Sequence, residues 1–95
     1  MKIEVTRQFV KDLKTLPQKI QQRVAETYTH VAKANSIRDI LNCKKIEGST
    51  HYYRIRVGSY RILFLVTITA DTVIFKRVVP RGGAYKKHFQ GLSNH

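Results

Sequence analysis

Tryptophan is absent from this 95-residue chain, and cysteine, methionine and proline are nearly so, with one, one and two copies. A single thiol, Cys43, excludes an internal disulfide, and with no second cysteine or spaced histidine beside it there is no pattern for a metal site. It reads as an inert, half-buried thiol. No run approaches the roughly 18 apolar residues of a membrane helix, and the polar start Met1-Lys2-Ile3-Glu4 has no apolar targeting segment, so a cytosolic location is expected. Acidic residues are scarce too. Six Asp and Glu are scattered along the chain, without the clustered carboxylates that hold Mg²⁺. No metal or cofactor is expected.

Against those six acids stand 18 Lys and Arg, a formal net charge of +12. Such an excess favours nucleic acid, an acidic protein or an anionic surface as partner. From residue 48 onward the basic residues are Arg54, Arg56, Arg61, Lys76, Arg77, Arg81, Lys86 and Lys87, opposed by Asp71 alone. The N-terminal half has more base but spreads it among five acids, as solvated helix surfaces do. The uncompensated field is C-terminal. With 42% hydrophobic residues the chain has enough apolar material for one modest core, and residues 1–89 read as a single domain with a frayed tail at 90–95.

Residues 2–6 alternate as a short strand, and Thr6 can cap a helix carrying Phe9, Val10, Leu13 and Leu16 at helical spacing. Leu16-Pro17 breaks it, and Ile20, Val24, Tyr28 and Val31 form the stripe of a second helix. Residues 37–46 are less regular, anchored by Ile37, Ile40, Leu41 and Ile46. Strands follow at about 51–57, 60–68 and 72–79, with turns at Gly58-Ser59 and Ala70-Asp71. The predicted fold class is α+β, in the order β-α-α-β-β-β. An antiparallel sheet carries the helical hairpin on one face and leaves a basic concave face open.

Period two places Arg54 and Arg56 on one sheet face and Tyr53, Ile55 and Val57 on the other. In the next strand Tyr60, Ile62, Phe64, Val66 and Ile68 share the apolar face, so Arg61 points to the open side. Arg77 and Arg81 continue the pattern in the last strand. Guanidinium groups stacked this way repel one another unless an anion covers them, and their forks match phosphate oxygens. A merely solvated sheet face is the alternative. Tyr53 and Tyr60 belong to the core by parity, whereas Tyr85 lies outside any apolar stripe and suits base stacking. Lys86 and Lys87 fit phosphate contacts or a solubilising tail. His30 and His95 are expected to face solvent, and His51 and His88 to be surface residues without an orienting carboxylate.

Phe9-x3-Leu13-x2-Leu16, Lys44-Lys45-Ile46-Glu47-Gly48, Tyr53-Arg54-Ile55-Arg56-x3-Tyr60-Arg61-Ile62 and Arg81-x3-Tyr85 together resemble the RelE/ParE superfamily of bacterial type II toxin–antitoxin toxins, most closely its RelE-type branch. The segment 53–62 is the most specific part. The resemblance implies a metal-free endoribonuclease that enters the ribosomal A site and cleaves mRNA by attack of a ribose 2′-OH on the adjacent phosphate. It also implies a cognate acidic antitoxin that silences it in a toxin–antitoxin hetero-oligomer. On this mapping Arg61 clamps the scissile phosphate, Arg81 stabilises the transition state or assists the leaving 5′-oxygen, Tyr85 stacks on or orients a base, and Arg54 and Arg56 supply field, with Arg77, Lys86 and Lys87 as further RNA contacts. Several RelE-type enzymes carry lysine where this chain has Arg54 and Arg56, which leaves the general base unassigned. Gly82-Gly83 stands where polar residues are more usual. A ParE-type toxin acting on DNA gyrase, and a basic binding module for RNA or an acidic protein, are the alternatives.

Overall fold

The computed structural model describes residues 1–67, 69 and 71–82. Strand β1 (Lys2–Val5) runs straight into helix α1 (Arg7–Lys14), and Thr6 turns the chain between them. Its backbone is extended and its Oγ1 accepts the Phe9 N–H at 3.0 Å, satisfying one orphan donor of the helix start. The same hydroxyl donates to the Lys76 carbonyl at 2.9 Å, so the cap also ties α1 to the sheet. Pro17 opens α2 (Gln18–Lys33), where its missing N–H costs nothing. A short 3₁₀ turn (Ile37–Asp39) then leads through β2 (Cys43–Lys45), β3 (Tyr52–Val57), β4 (Tyr60–Val66) and β5 (Thr72–Pro80).

The strands form one sheet in the order β1-β5-β4-β3-β2. The α+β class, the helical hairpin and the antiparallel meander β3-β4-β5 are as the periodicity predicts. Two features differ. β1 pairs with β5 in parallel, making the sheet mixed and not wholly antiparallel, and β2 adds a fifth strand antiparallel to β3. Alternation is the same in parallel and antiparallel strands, and three residues are too few to carry a periodic signal, so neither feature is visible in a hydrophobic pattern.

Both helices lie on one face. Phe9, Val24 and Val31 from the helices meet Ile55, Val57, Ile62, Phe64, Val66, Val73, Phe75 and Val78 from the sheet. Phe64 sits at the centre, stacked on Tyr53 at 5.6 Å and edge-on to Phe75 at 5.9 Å, the offset and tilted geometries aromatic rings prefer. Tyr53 and Tyr60 pack on this core, as their parity predicts. The opposite face has its own small apolar group, Ile46, Leu63 and Val79 with Tyr52 beside them, next to the basic residues of β3 and β4.

A register shift in β5 decides which residues reach that second face. Leu63 pairs with Arg77 and Phe64 with Phe75, so Lys76 is the extra residue of a β-bulge. Without it Phe75 and Arg77 would share a face; with it Phe75 fills the core while Arg77 and Val79 take the other parity. The hydrogen bonds from Thr6 N–H to Phe75 O (3.0 Å) and from its hydroxyl to Lys76 O brace the bulge. Among the described residues no helix is long and apolar enough to cross a membrane.

Candidate nucleic-acid interface

Three strands bring basic side chains together on the face away from the helices. Arg56 of β3 stands directly opposite Arg61 of β4, and Lys44 of β2 directly opposite Arg54. Like charges facing across a ladder are unfavourable, so this arrangement costs stability that a bound anion would recover. Asn42, Cys43, Lys44, Arg54, Arg56 and Arg61 line a cleft of about 390 Å³ at this place. The three arginines predicted from strand parity are thus brought into one cavity.

Arg61 is only 8% exposed, and its Nη1 donates to the Tyr60 carbonyl at 3.3 Å. A guanidinium held this way is preorganised: little side-chain entropy remains to be lost when it meets a phosphate. Arg54 is half-buried and Arg56 exposed, so the set grades from a buried inner charge to an exposed outer one. Lys44 is absent from the residues picked out by strand alternation. Its signal was the Lys44-Lys45 pair before Ile46, which acquires meaning only when β2 pairs with β3 and aligns Lys44 with Arg54.

The β3–β4 turn holds the fourth arginine. Val57 pairs with Tyr60, leaving the two-residue loop Gly58-Ser59, and Gly58 takes the left-handed conformation (φ 60°) that such a hairpin needs at its first position. The Ser59 carbonyl accepts the Arg81 N–H at 2.8 Å, which carries Arg81 one step past the paired end of β5. Val79 pairs with Arg61, and alternation gives Arg81 the parity of Val79. Arg81 is exposed and Gly82 follows with φ 113°. Tyr85, Lys86 and Lys87 lie outside the described residues.

Arg77 is drawn elsewhere. Its side chain turns round the free edge of β5 to Asp12 of α1, with Nε to Oδ2 at 2.7 Å and Nη2 to Oδ1 at 3.1 Å. Asp12 Oδ2 also accepts the Val78 N–H at 3.0 Å, closing the strand edge beyond the end of β1. The expectation that Arg77 joins the cleft as an RNA contact meets a bidentate ion pair instead, because the β5 edge needs an acceptor there and α1 supplies a carboxylate.

Two further groups are set by burial. It pushes the Cys43 thiol up to about 11, against the opposing charge of Arg54, so the sulfur stays protonated at neutral pH. It likewise raises the Tyr52 phenol, which stays a neutral hydroxyl. His30 does not simply face solvent: its Nε2 accepts the Leu41 N–H at 3.0 Å and holds the segment before β2 against α2. His51 is exposed, as predicted.

This geometry coincides with a known protein architecture. The sequence model for the ParE toxin of the type II toxin–antitoxin system parDE matches residues 3–85. Toxin RelE3 of Methanocaldococcus jannaschii is 43% identical over 86 residues, covering 90% of this chain and 96% of that protein. The putative toxin RelE1 of the same organism is 31% identical and covers 88% of this chain and 93% of its own length. Among solved structures, the toxin in the RelB-RelE antitoxin-toxin complex from Methanococcus jannaschii superposes with a TM-score of 0.73 at 42% identity, covering 86% of this chain and 94% of that one. The archaeal RelE-RelB complex from Pyrococcus horikoshii gives 0.71 at 26% identity, covering 86% and 96%. The chain belongs to the RelE/ParE family of toxins of type II toxin–antitoxin systems.

Proposed function

We propose that this toxin cleaves messenger RNA in the ribosomal A site, without a metal ion, by transfer of the phosphate to the neighbouring ribose 2′-OH. The observation that carries the reading is the preorganised Arg61 facing Arg56 in a polar cleft, with Arg54 and Lys44 beside them. The new bond joins O2′ to phosphorus, the P–O5′ bond breaks, and the products are a 2′,3′-cyclic phosphate and a 5′-hydroxyl. Charge builds on the non-bridging oxygens as the phosphorus becomes five-coordinate, and fixed guanidinium donors lower the barrier by meeting it there. Arg61 clamps the phosphate and Arg54 and Arg56 supply field. Arg81, anchored to the turn through Ser59, meets the transition state or the departing O5′. Tyr85 stacks on a base, with Lys86 and Lys87 as phosphate contacts.

The 2′-OH proton needs an acceptor, and an arginine practically never supplies one. Among the described residues that line this cleft Lys44 is the amine, and lysine is one of the side chains that serve as general bases. It takes the role left open by arginine at positions 54 and 56. The archaeal relatives were solved as complexes of toxin with antitoxin. By the same reading an acidic antitoxin holds this chain, its carboxylates matching a net charge of +12.

The test is to add the purified protein to translating ribosomes, with chelator present, and map mRNA 5′ ends and their termini. Cuts within the A-site codon that leave a 5′-hydroxyl support the reading. A second reading, gyrase inhibition, is favoured by the match to the ParE toxin model. Intact mRNA together with blocked supercoiling in a parallel gyrase assay would transfer the protein to that class.

A further inference from the structure

The sheet cleft does not stop at Arg56. β2 covers β3 only from Tyr53 to Ile55, so beyond Ile55 the β3 edge is left to the segment before β2, whose Asn42 carbonyl accepts the Arg56 N–H at 3.1 Å. Asn42 has φ 58°, and this left-handed kink swings the chain away from the edge. A second opening of about 210 Å³ lies there, between β3 and α2, and Arg56 and Asn42 line both openings. Its far wall is α2, which contributes Arg23, Glu26 and His30.

Arg23 is exposed, yet it does not simply extend into solvent. Its Nη1 lies 2.9 Å from where a Cβ at Gly58 would sit, so the guanidinium rests against the β3–β4 turn, and a side chain at Gly58 would push this end aside. That turn is the one whose Ser59 carbonyl anchors Arg81 and whose flanking strands carry Arg56 and Arg61. Four arginines from four separate segments therefore surround one two-residue loop. Asp12 neutralises Arg77 elsewhere on the sheet, whereas the Arg23 guanidinium makes no ion pair with a described residue.

We propose that Arg23, together with Arg56, forms a second phosphate subsite that takes the backbone of the RNA strand as it leaves the sheet cleft, passing over the β3–β4 turn onto α2. This rests on the RNA-cleaving reading above. The subsite is sequence-independent, since a guanidinium on the phosphodiester reads no base. It lengthens the bound strand by holding it on both sides of Arg56.

The test measures binding of the full-length chain to uncleavable 2′-O-methyl single strands of two lengths, about four and about twelve nucleotides, by fluorescence anisotropy over a salt series. Arg23→Ala should weaken the longer strand about five- to tenfold, lower the slope of log K against log salt by about 0.7, and leave the short strand unchanged. Arg23→Lys should recover most of the loss. Gly58→Ala, which keeps Arg23 but crowds its guanidinium, should reproduce part of it, with thermal melting used to confirm that the variant is folded. Equal weakening of both lengths, or none, overturns the subsite. So does loss of association with an acidic partner protein while binding of both strands is unchanged, which would make Arg23 a protein contact. Failure of the native chain to bind either strand also overturns it, while the ribosome assay decides the cleavage reading separately.

Discussion

Asp12 of α1 takes Arg77 out of the basic face: its carboxylate accepts from both Nε and Nη2 of that guanidinium, and from the backbone of the next residue, Val78. One carboxylate thus closes the open edge of β5, docks α1 on the sheet and separates a structural arginine from those of the cleft.

Burial raises the Asp12 pKa, but the hydrogen bonds from Arg77, Gln8 and the Val78 amide and the charge of Arg77 outweigh it, holding the carboxyl below its ordinary value. A depressed carboxylate stabilises the fold above its unfolded pKa and loses that contribution as pH falls through the folded value. Asp12→Ala should therefore cost about 3 kcal/mol near neutrality, by leaving the Val78 N–H and a half-buried guanidinium without the carboxylate. The gap to the native protein should close as acid protonates Asp12. Urea unfolding at a series of pH values measures it, and a gap constant down to acid pH would show that the ion pair contributes nothing.

Arg81→Ala should leave the melting temperature unchanged, because the side chain is exposed and the Ser59 contact is made by the backbone N–H. Cleavage of ribosome-bound mRNA should fall about 10²- to 10³-fold, the usual consequence of removing one preorganised donor. Arg61→Ala should lose as much activity and some stability as well, since that side chain is buried. Full toxicity at equal expression would remove either residue from the site.

Lys44→Ala separates proton transfer from charge. If Lys44 accepts the 2′-OH proton, Lys44→Arg keeps the positive field but not the activity, and both variants should be slowed by about 10² or more. Single-turnover rates across a pH series give the answer; a fully active Lys44→Arg protein would reduce Lys44 to a charge.

Phe64→Ala tests the core at a fully buried ring of the central strand. Phe64 is fully buried between Tyr53 and Phe75, and truncation should cost about 3 to 5 kcal/mol through lost burial and the cavity left behind. Calorimetry or chemical denaturation of the variant checks this, and a loss below about 1 kcal/mol would mean that the sheet collapses to fill the space.

An acidic antitoxin should associate at a rate that drops steeply from low to physiological ionic strength, while its dissociation rate changes little. Long-range attraction to the basic face sets the first and short-range packing the second. Stopped-flow mixing with the protein encoded beside this toxin distinguishes the two; a salt-insensitive association would mean that the basic face does not steer the encounter.

The sequence by itself determined the two helices, the strands other than β2, and the faces of β3 and β4. Alternation in 51–57 and 60–66 separates Tyr53, Ile55, Ile62 and Phe64 from Arg54, Arg56 and Arg61, because burying one face of a sheet makes every second residue apolar. The helix stripes, apart from Val10 and Tyr28, which stay exposed, the Thr6 cap and the Gly58-Ser59 turn follow from equally local rules. Pairing was decided only in three dimensions. The parallel partnership of β1 and β5 joins residues some 70 positions apart, and nothing local distinguishes it. The bulge at Lys76 resets the faces of β5, and Asp12, read as one more solvated helix acid, captures Arg77 because α1 happens to end beside an open strand edge. Lys44 and Arg23 acquire their places the same way, one through a three-residue strand and the other through the space left by a glycine on a distant turn. Periodicity reports which side of a strand is buried; which charges then meet depends on register, and register is a property of the whole sheet.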